Sequence, residues 1–220
     1  MKSLIIAPHP DDEVLGVGGT LLRRRAEGGE IGLILMTEMK TEHGYSGEDV
    51  NQRRIEIEKI VNFMGFGFLA ELKFATSSLD QEPRAAIVNK IADAIKQFGP
   101  QEIFIPHFSD VHSDHRVTFE AASSSLKWFR QPNVKRILSY ETVSETGFGL
   151  NLNLDFQPNL FVDIEKYLER KVEALNLYAS ETGNHPFPRS VETLVALATL
   201  RGSSSGFKAA EAFQLLRQYE

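Results

Sequence analysis

Apolar and polar residues follow two different periods along this chain. Short, continuous apolar runs are typical of strands that are buried on both faces of a sheet. They predict strands at residues 3–7, 31–36, 68–74, 103–105, 137–143 and 161–164. Apolar residues at helical spacing predict helices at residues 13–27, 48–64, 84–98, 117–129, 165–178, 192–200 and 209–217.

The order of these elements predicts the fold class. Strands and helices alternate strictly up to residue 105, which is typical of a parallel sheet. We therefore predict a three-layer, Rossmann-like α/β fold with a mostly parallel sheet and helices on both faces. No repeat or linker divides the sequence, so residues 1–220 are predicted to form a single domain. Two polar segments, 145–159 and 180–189, are predicted to be loops, and long loops of this kind are often functional.

The composition excludes several kinds of chemistry. The 220 residues include no cysteine, which excludes disulfides, a cysteine nucleophile and thiolate metal ligands. The formal net charge is −6, and an acidic balance argues against a nucleic-acid-binding surface. No apolar run reaches the roughly 20 residues that span a bilayer, and the apolar N-terminus is too short for a signal peptide. We therefore expect a cytoplasmic protein with no transmembrane segment.

Histidines and carboxylates concentrate in the segments that follow the first and fourth predicted strands. Four of the six histidines lie there, namely His9, His107, His112 and His115. Five carboxylates accompany them: Asp11, Asp12, Glu13, Asp110 and Asp114. In open parallel sheets, ligands bind beyond the carboxyl ends of the strands. If the two strands are neighbours, the two clusters face each other, and a bound cation would offset the repulsion between like charges.

Imidazole and carboxylate together suit a zinc ion that keeps one open position for water. His9 and Asp12 lie three residues apart on a proline-stiffened turn, so both can hold one ion. Asp11 then points elsewhere and suits a general base that takes a proton from metal-activated water. The third ligand comes from His112 or His115. Two histidines and one carboxylate also suit iron, but an iron oxygenase normally has an all-β scaffold.

These residues carry a resemblance to a known family. The run from Pro8 to Glu13, the following 15–19 segment and the Asp110–His115 segment resemble the LmbE-like, or PIG-L, family of N-acetylsugar deacetylases. Weaker matches lie at Arg53-Arg54-Ile55-Glu56, Met64-Gly65, Tyr140-Glu141, Arg201-Gly202 and Ala210-Glu211-Ala212-Phe213, so the resemblance spans nearly the whole chain. Ser113 replaces the proline that the family usually has, and this leaves the functional groups in place. The resemblance implies an LmbE-like fold.

The resemblance also implies a role for each matching residue. The zinc ligands would be His9, Asp12 and His115, and Asp11 would be the general base. His112 would stabilise the oxyanion or protonate the leaving amine, oriented by Asp114. Arg53 matches a position that the family uses for substrate contact. Independently of the resemblance, His43 follows the second strand, and we predict that it lines the sugar pocket.

The predicted function is a metal-dependent hydrolase that removes the N-acetyl group from an N-acetylglucosamine-type sugar conjugate. Its cofactor would be Zn²⁺, although Fe²⁺ can serve in a hydrolase of this kind. The alternatives are a zinc amidase that acts on a non-sugar amide and a metal-dependent phosphoesterase, which would need a second metal and more basic residues. A non-catalytic sugar-binding protein would need neither Asp11 nor His112. The partner is a small N-acetylated sugar conjugate, and the sequence is compatible with a homo-oligomer.

Overall fold

The computed structural model describes residues 1–150 and 155–220. Seven strands in this part of the chain form one sheet: β1 (Lys2–Ala7), β2 (Glu30–Glu38), β3 (Phe68–Ala75), β4 (Glu102–Ile105), β5 (Arg136–Tyr140), β6 (Leu160–Asp163) and β7 (Ala210–Gln218). The helices are α1 (Asp12–Ala26), α2 (Gly47–Met64), α3 (Arg84–Phe98), α4 (Ser113–Ser125), α5 (Leu168–Asn176) and α6 (Val191–Ser203). Short 3-10 helices lie at Thr41–His43, Leu79–Gln81, Thr146–Phe148 and Glu165–Tyr167. Residues 151–154 of the predicted loop 145–159 lie outside the described residues.

The sheet is mostly parallel, and its strand order is β3-β2-β1-β4-β5-β7-β6. Strands β1 to β5 pair in parallel, whereas β7 runs antiparallel to both β5 and β6. The predicted α/β class with a mostly parallel sheet is therefore confirmed.

Helices cover both faces of the sheet, as the alternation along β1 shows. Leu4 and Ile6 contact the core beneath α3 and α4, whereas Ile5 and Ala7 contact the core beneath α1, α2, α5 and α6. Because successive side chains of a strand point to opposite faces, one continuous apolar run supplies both cores. The arrangement has the three layers that the sequence predicts.

One predicted helix, at residues 209–217, is wrong, because all but the first of these residues belong to strand β7. Alanine, glutamate, glutamine and leucine favour a helix here, but the gap between β5 and β6 selects a strand. Phe213 is fully buried against Phe104 of β4, with ring centroids 5.1 Å apart. The carboxylate of Glu211 is buried and accepts a hydrogen bond from Lys171 Nζ (2.6 Å). Tertiary contacts therefore override the local preference.

Helix α4 begins four residues earlier than predicted and ends at Ser125 rather than near residue 129. The earlier start places His115 within the first turns of the helix instead of in the preceding loop. Its imidazole is therefore fixed by the helix backbone.

The strand order of the sheet reverses between β1 and β4. β2 and β3 lie on one side of β1, and β4 and β5 lie on the other. Ligands bind at such a switch point in open α/β sheets. Since β1 pairs directly with β4, the segments that follow these strands meet there, as expected. Among the described residues, no helix is both long and apolar enough to cross a membrane.

Candidate active site

The turn that follows β1 is held rigidly by hydrogen bonds. Thr37 of β2 donates from both its backbone N–H (3.2 Å) and its Oγ1 (2.8 Å) to the carbonyl of Pro8. The His9 N–H donates to Asp12 Oδ2 (2.8 Å), and the Asp12 N–H donates to the His9 carbonyl (3.3 Å). These bonds place His9 and Asp12 side by side at the start of α1.

His9, Asp12 and His115 form one group of potential metal ligands. Their ligand atoms all lie within 4.8 Å of one another, and His115 Nε2 is 3.3 Å from Asp12 Oδ2. His9 Nδ1 lies 3.6 Å from the same oxygen. Two imidazole nitrogens and one carboxylate at these separations fit a divalent transition-metal ion.

Each histidine of the group has a second carboxylate on its other ring nitrogen. His115 Nδ1 donates to Asp110 Oδ2 (2.8 Å), and His9 Nε2 donates to Asp114 Oδ2 (3.0 Å). Metal-binding histidines usually carry such a partner, which fixes the ring and leaves the opposite nitrogen for the ion. The sequence showed Asp110 within the cluster but indicated no role for it.

The carboxylate of Asp114 is positioned differently from the expectation that it orients His112. It accepts hydrogen bonds from His9 and from the backbone N–H groups of Ser77 (2.7 Å) and Leu79 (3.1 Å). Burial alone would raise the Asp114 pKa, but these bonds outweigh it, and the pKa lies below its usual value. The backbone N–H of Asp114 donates to His112 Nδ1 (3.1 Å).

A second group of potential ligands, formed by His9, His112 and Asp114, shares His9 with the first. Asp114 in this group is already hydrogen-bonded to two backbone N–H groups. The first group has the better donor set, because His115 Nε2 and Asp12 Oδ2 point toward each other.

The charges of Asp12 and His115 stabilise each other. Burial alone would raise the pKa of Asp12, but the neighbouring His115 and His9 lower it below its usual value. Burial alone would lower the pKa of His115, but Asp12 and Asp110 raise it well above its usual value. His115 therefore lies between two carboxylates, at a place that favours positive charge.

Asp11 combines burial with a strained backbone. Its φ is 127°, a value that residues other than glycine rarely adopt. Its N–H donates to Glu13 Oε2 (3.1 Å), which helps to hold this conformation. Burial and the neighbouring charge of Asp12 raise the Asp11 pKa well above its usual value, although Arg189, 3.7 Å away, acts in the opposite direction.

His112 precedes α4 and lies beside the ligand group. Its ring centroid is 4.5 Å from that of His9 and 5.8 Å from that of His115. Burial and the nearby His9 lower the pKa of His112 to about 4. Because Nδ1 accepts the Asp114 N–H, the proton of the neutral ring belongs on Nε2, which can donate a hydrogen bond.

These residues line one pocket at the carboxyl ends of β1 and β4. Its walls include His9, Asp11, Asp12, Tyr45, Arg53, His112, His115, Ser144, Glu145, Glu181 and Arg189. Arg53 is present as predicted, but its guanidinium is already hydrogen-bonded to the protein. Among the described residues, His43 does not line this pocket. Its ring lies beside Glu42 and is 43% exposed. Tyr45, from the same loop, lines the pocket instead.

Sequence reasoning missed Arg189, Glu181, Glu145 and Ser144 as pocket residues. Arg189 and Glu181 belong to the predicted loop 180–189, and Ser144 and Glu145 lie at or just before the start of the other predicted loop. The only signal in the sequence that could have indicated these four residues was their position in or beside the two loops predicted to be functional.

The fold and the site define a class of protein. It is an α/β protein with a His/Asp/His group at the switch point of its sheet, next to a buried carboxylate. The model of the PIG-L family, described as GlcNAc-PI de-N-acetylase, matches residues 4–126, which is more than half of the chain. The chain belongs to this family, which confirms the resemblance found in the sequence.

Known proteins resemble the chain over its whole length. The diacetylchitobiose deacetylase of Thermococcus kodakarensis is 28% identical over 98% of this chain and 83% of its own length. The conserved protein TT1542 from Thermus thermophilus has a TM-score of 0.79 and 27% identity, covering 99% of this chain and 96% of its own. The hydratase GalB from Pseudomonas putida has a TM-score of 0.78 but only 16% identity, covering 100% of this chain and 98% of its own. The last likeness shows that this fold also carries other reactions.

Proposed function

We propose that this protein is a metal-dependent hydrolase that removes the N-acetyl group from an N-acetylglucosamine-type sugar conjugate. The observation that carries the proposal is the His9, Asp12 and His115 group, with the Asp11 carboxylate in the same pocket. Membership of the PIG-L family and the similarity to a diacetylchitobiose deacetylase support the same reaction.

His9, Asp12 and His115 are the proposed ligands of a zinc ion, with iron(II) as the alternative ion. Asp114 and Asp110 support this assignment, because each is bonded to the far nitrogen of one ligand histidine. A divalent ion held there supplies Lewis acidity, which polarises a carbonyl and lowers the pKa of water.

The chain's own residues supply the proton transfers and the charge stabilisation. Asp11 takes a proton from the water molecule that attacks the acetamide carbonyl. His112 donates its Nε2–H to the oxygen on which negative charge develops, and such a donor contributes about 3–4 kcal/mol in other enzymes. When the C–N bond breaks, Asp11 returns the proton to the leaving nitrogen. The products are acetate and the protonated amine, so the atoms and charges of water and amide balance.

A single comparison tests the proposed reaction. Protein supplied with one equivalent of zinc is incubated with N,N′-diacetylchitobiose, with a non-sugar acetamide and with a phosphomonoester. We expect acetate to be released from N,N′-diacetylchitobiose, and neither of the other two compounds to react. Faster cleavage of the non-sugar amide would favour the amidase alternative, and release of phosphate would favour the phosphoesterase. Loss of activity on chelation, restored by zinc or iron(II), identifies the ion.

The cytoplasmic location expected from the sequence remains part of this proposal. Cell fractionation with an antibody against the chain tests it directly.

A further inference from the structure

Two guanidinium groups line the catalytic pocket, and one carboxylate engages both of them. Arg189 donates from Nη2 to Glu181 Oε2 (2.9 Å) and from Nε to the Glu181 carbonyl (2.9 Å). Arg53 donates from Nη2 to the other oxygen of Glu181 and from Nη1 to the carbonyl of Pro10 (3.0 Å). The positive charges that a phosphate or carboxylate would seek are therefore already paired with the protein.

Glu181 is held in place by contacts on both sides. The preceding residue, Ser180, donates from its N–H (3.1 Å) and its Oγ (2.7 Å) to the carboxylate of Glu56 on α2. Arg53 Nε also lies 3.3 Å from this carboxylate. An anion that displaced Glu181 would have to break its contact with Arg53, which is buried together with Glu56, and this is costly because the guanidinium is shielded from water.

The remaining charges of the pocket leave no surplus of positive charge. Its described walls carry the carboxylates of Asp11, Asp12, Glu145 and Glu181, and the guanidinium groups of Arg53 and Arg189. With the histidines neutral and all four carboxylates ionised, one divalent ion would bring these groups to balance. A further negative charge near the reacting amide would then meet Glu181 or Glu145 at short range without a free cation. Sugar hydroxyls, by contrast, can donate to the same carboxylates.

We infer that Glu181 makes this pocket selective for sugar conjugates whose attached group carries no negative charge close to the N-acetyl group. The inference rests on the proposed deacetylase function and names its substrate class. Glu181 acts here as a specificity-determining residue, because it neutralises Arg53 and Arg189. Without it, the two guanidinium groups would form an anion-binding pair.

A matched pair of substrates tests the inference. Two N-acetylglucosamine glycosides share one attached group, which ends in a carboxylate in one compound and in its methyl ester in the other. The zinc-loaded wild-type protein should favour the ester by about tenfold or more in kcat/KM, which corresponds to about 1.4 kcal/mol. The preference should shrink as sodium chloride is added, because salt screens the repulsion.

Glu181→Gln should reduce this preference to about threefold or less, mainly through a lower KM for the carboxylate compound. Glu58→Gln is the matched control, because Glu58 pairs with Arg54 on the same helix but outside the pocket. It should keep the wild-type preference. If Glu181→Gln does not fold, the wild-type ratio and its salt dependence still test whether the pocket rejects the negative charge, and a ratio near one would overturn the inference.

Binding without catalysis separates failure of the inference from failure of the proposed function. The same two attached groups are placed on glucose, which has no amide, and titrated calorimetrically into the zinc-loaded protein. Preferred binding of the ester without hydrolysis of either acetamide would overturn the proposed reaction and keep the inference. The inference would be overturned if the two compounds were hydrolysed equally or bound equally. It would also be overturned by a preference for the carboxylate or by no binding of the ester.

Discussion

The position of the Asp11 carboxylate depends on an unfavourable backbone conformation. Its backbone adopts φ 127°, and its side chain is buried between Asp12 and Arg189. Unfavourable backbone conformations persist only where the surroundings fix them, and they concentrate at functional sites. Here the hydrogen bond from the Asp11 N–H to Glu13 fixes the turn. The strained conformation supports the assignment of Asp11 as the general base.

Asp11→Asn should preserve metal binding but lower kcat by about 100-fold or more, because the amide cannot accept the proton. Asparagine tolerates a positive φ better than most residues, so the fold should persist. Kinetics with a sugar acetamide, together with the metal content, measure the two effects. Asp80→Asn is the control, because Asp80 is exposed outside the pocket. Full activity of Asp11→Asn would contradict the assignment.

At the residue scale, sequence spacing predicted the parts of the site that are local. His9, Asp11 and Asp12 share one turn, and His112 and His115 share the start of one helix, so their proximity follows from short-range geometry. Arg189 and Glu181 reach the pocket from a loop far along the chain. No spacing rule relates this loop to β1, because only the tertiary packing brings the two together.

At the scale of elements, helix α1, which begins with Asp12, packs closely against its neighbours. A Cβ added at Gly16 would lie 2.4 Å from the ring of Tyr140, which is fully buried. Tyr140 in turn donates from its hydroxyl to the carbonyl of Ile6 on β1 (3.0 Å). The glycine therefore sets the distance between α1 and the sheet.

Gly16→Ala should destabilise the protein by about 1–3 kcal/mol, because the ring of Tyr140 has no room to move. Chemical denaturation monitored by circular dichroism measures the change. Gly47→Ala provides the matched control at the start of α2, where an added Cβ meets no atom within 4 Å and φ is not positive. Equal stability of the two variants would show that α1 is not closely packed at Gly16.

A buried ion pair between Lys171 of α5 and Glu211 of β7 is bound to α1. Glu211 accepts hydrogen bonds from the N–H groups of Gly19 (2.8 Å) and Thr20 (2.7 Å), and from Lys171 Nζ (2.6 Å). Lys171 also donates to the carbonyl of Leu15 (2.9 Å). The pair thus contacts α1 in its middle, from two separate elements.

Lys171→Met should destabilise the protein by about 3–5 kcal/mol, because it leaves the charge of Glu211 buried without its partner. Adding Glu211→Gln to this variant should cost less than the two single changes together, since the two residues are coupled. Denaturant titrations of the four proteins give this coupling. The exposed Lys208 pairs with Glu165, and Lys208→Met should leave the unfolding curve unchanged. Strict additivity would contradict the coupling.

The elements of the fold were predictable where a hydrophobic period was clear. The strands that are buried on both faces and the amphipathic helices α2 and α3 lie where the sequence predicted them. β7 was mispredicted because its composition favours a helix, while its environment between two antiparallel neighbours requires a strand. Such an environment depends on contacts made far along the chain.

At the scale of the whole molecule, the proposed metal would connect two parts of the fold. His9 and Asp12 belong to the β1–α1 turn, whereas His115 belongs to α4 on the other side of the switch point. These parts are distant in sequence, so an ion bound to all three residues would stabilise the folded state only. The formal net charge of −6 would be partly offset there.

Removal of the metal should therefore lower the thermal stability. At a free zinc concentration of about 100 times Kd, the stabilisation is about 2.7 kcal/mol, or roughly 5–10 °C in Tm for a chain of this size. Thermal melting with and without a chelator measures the shift. His115→Ala should abolish it, whereas His43→Ala should keep it, because the exposed His43 lies outside the ligand group. A shift that survives His115→Ala would place the ion elsewhere and overturn the proposed ligand set.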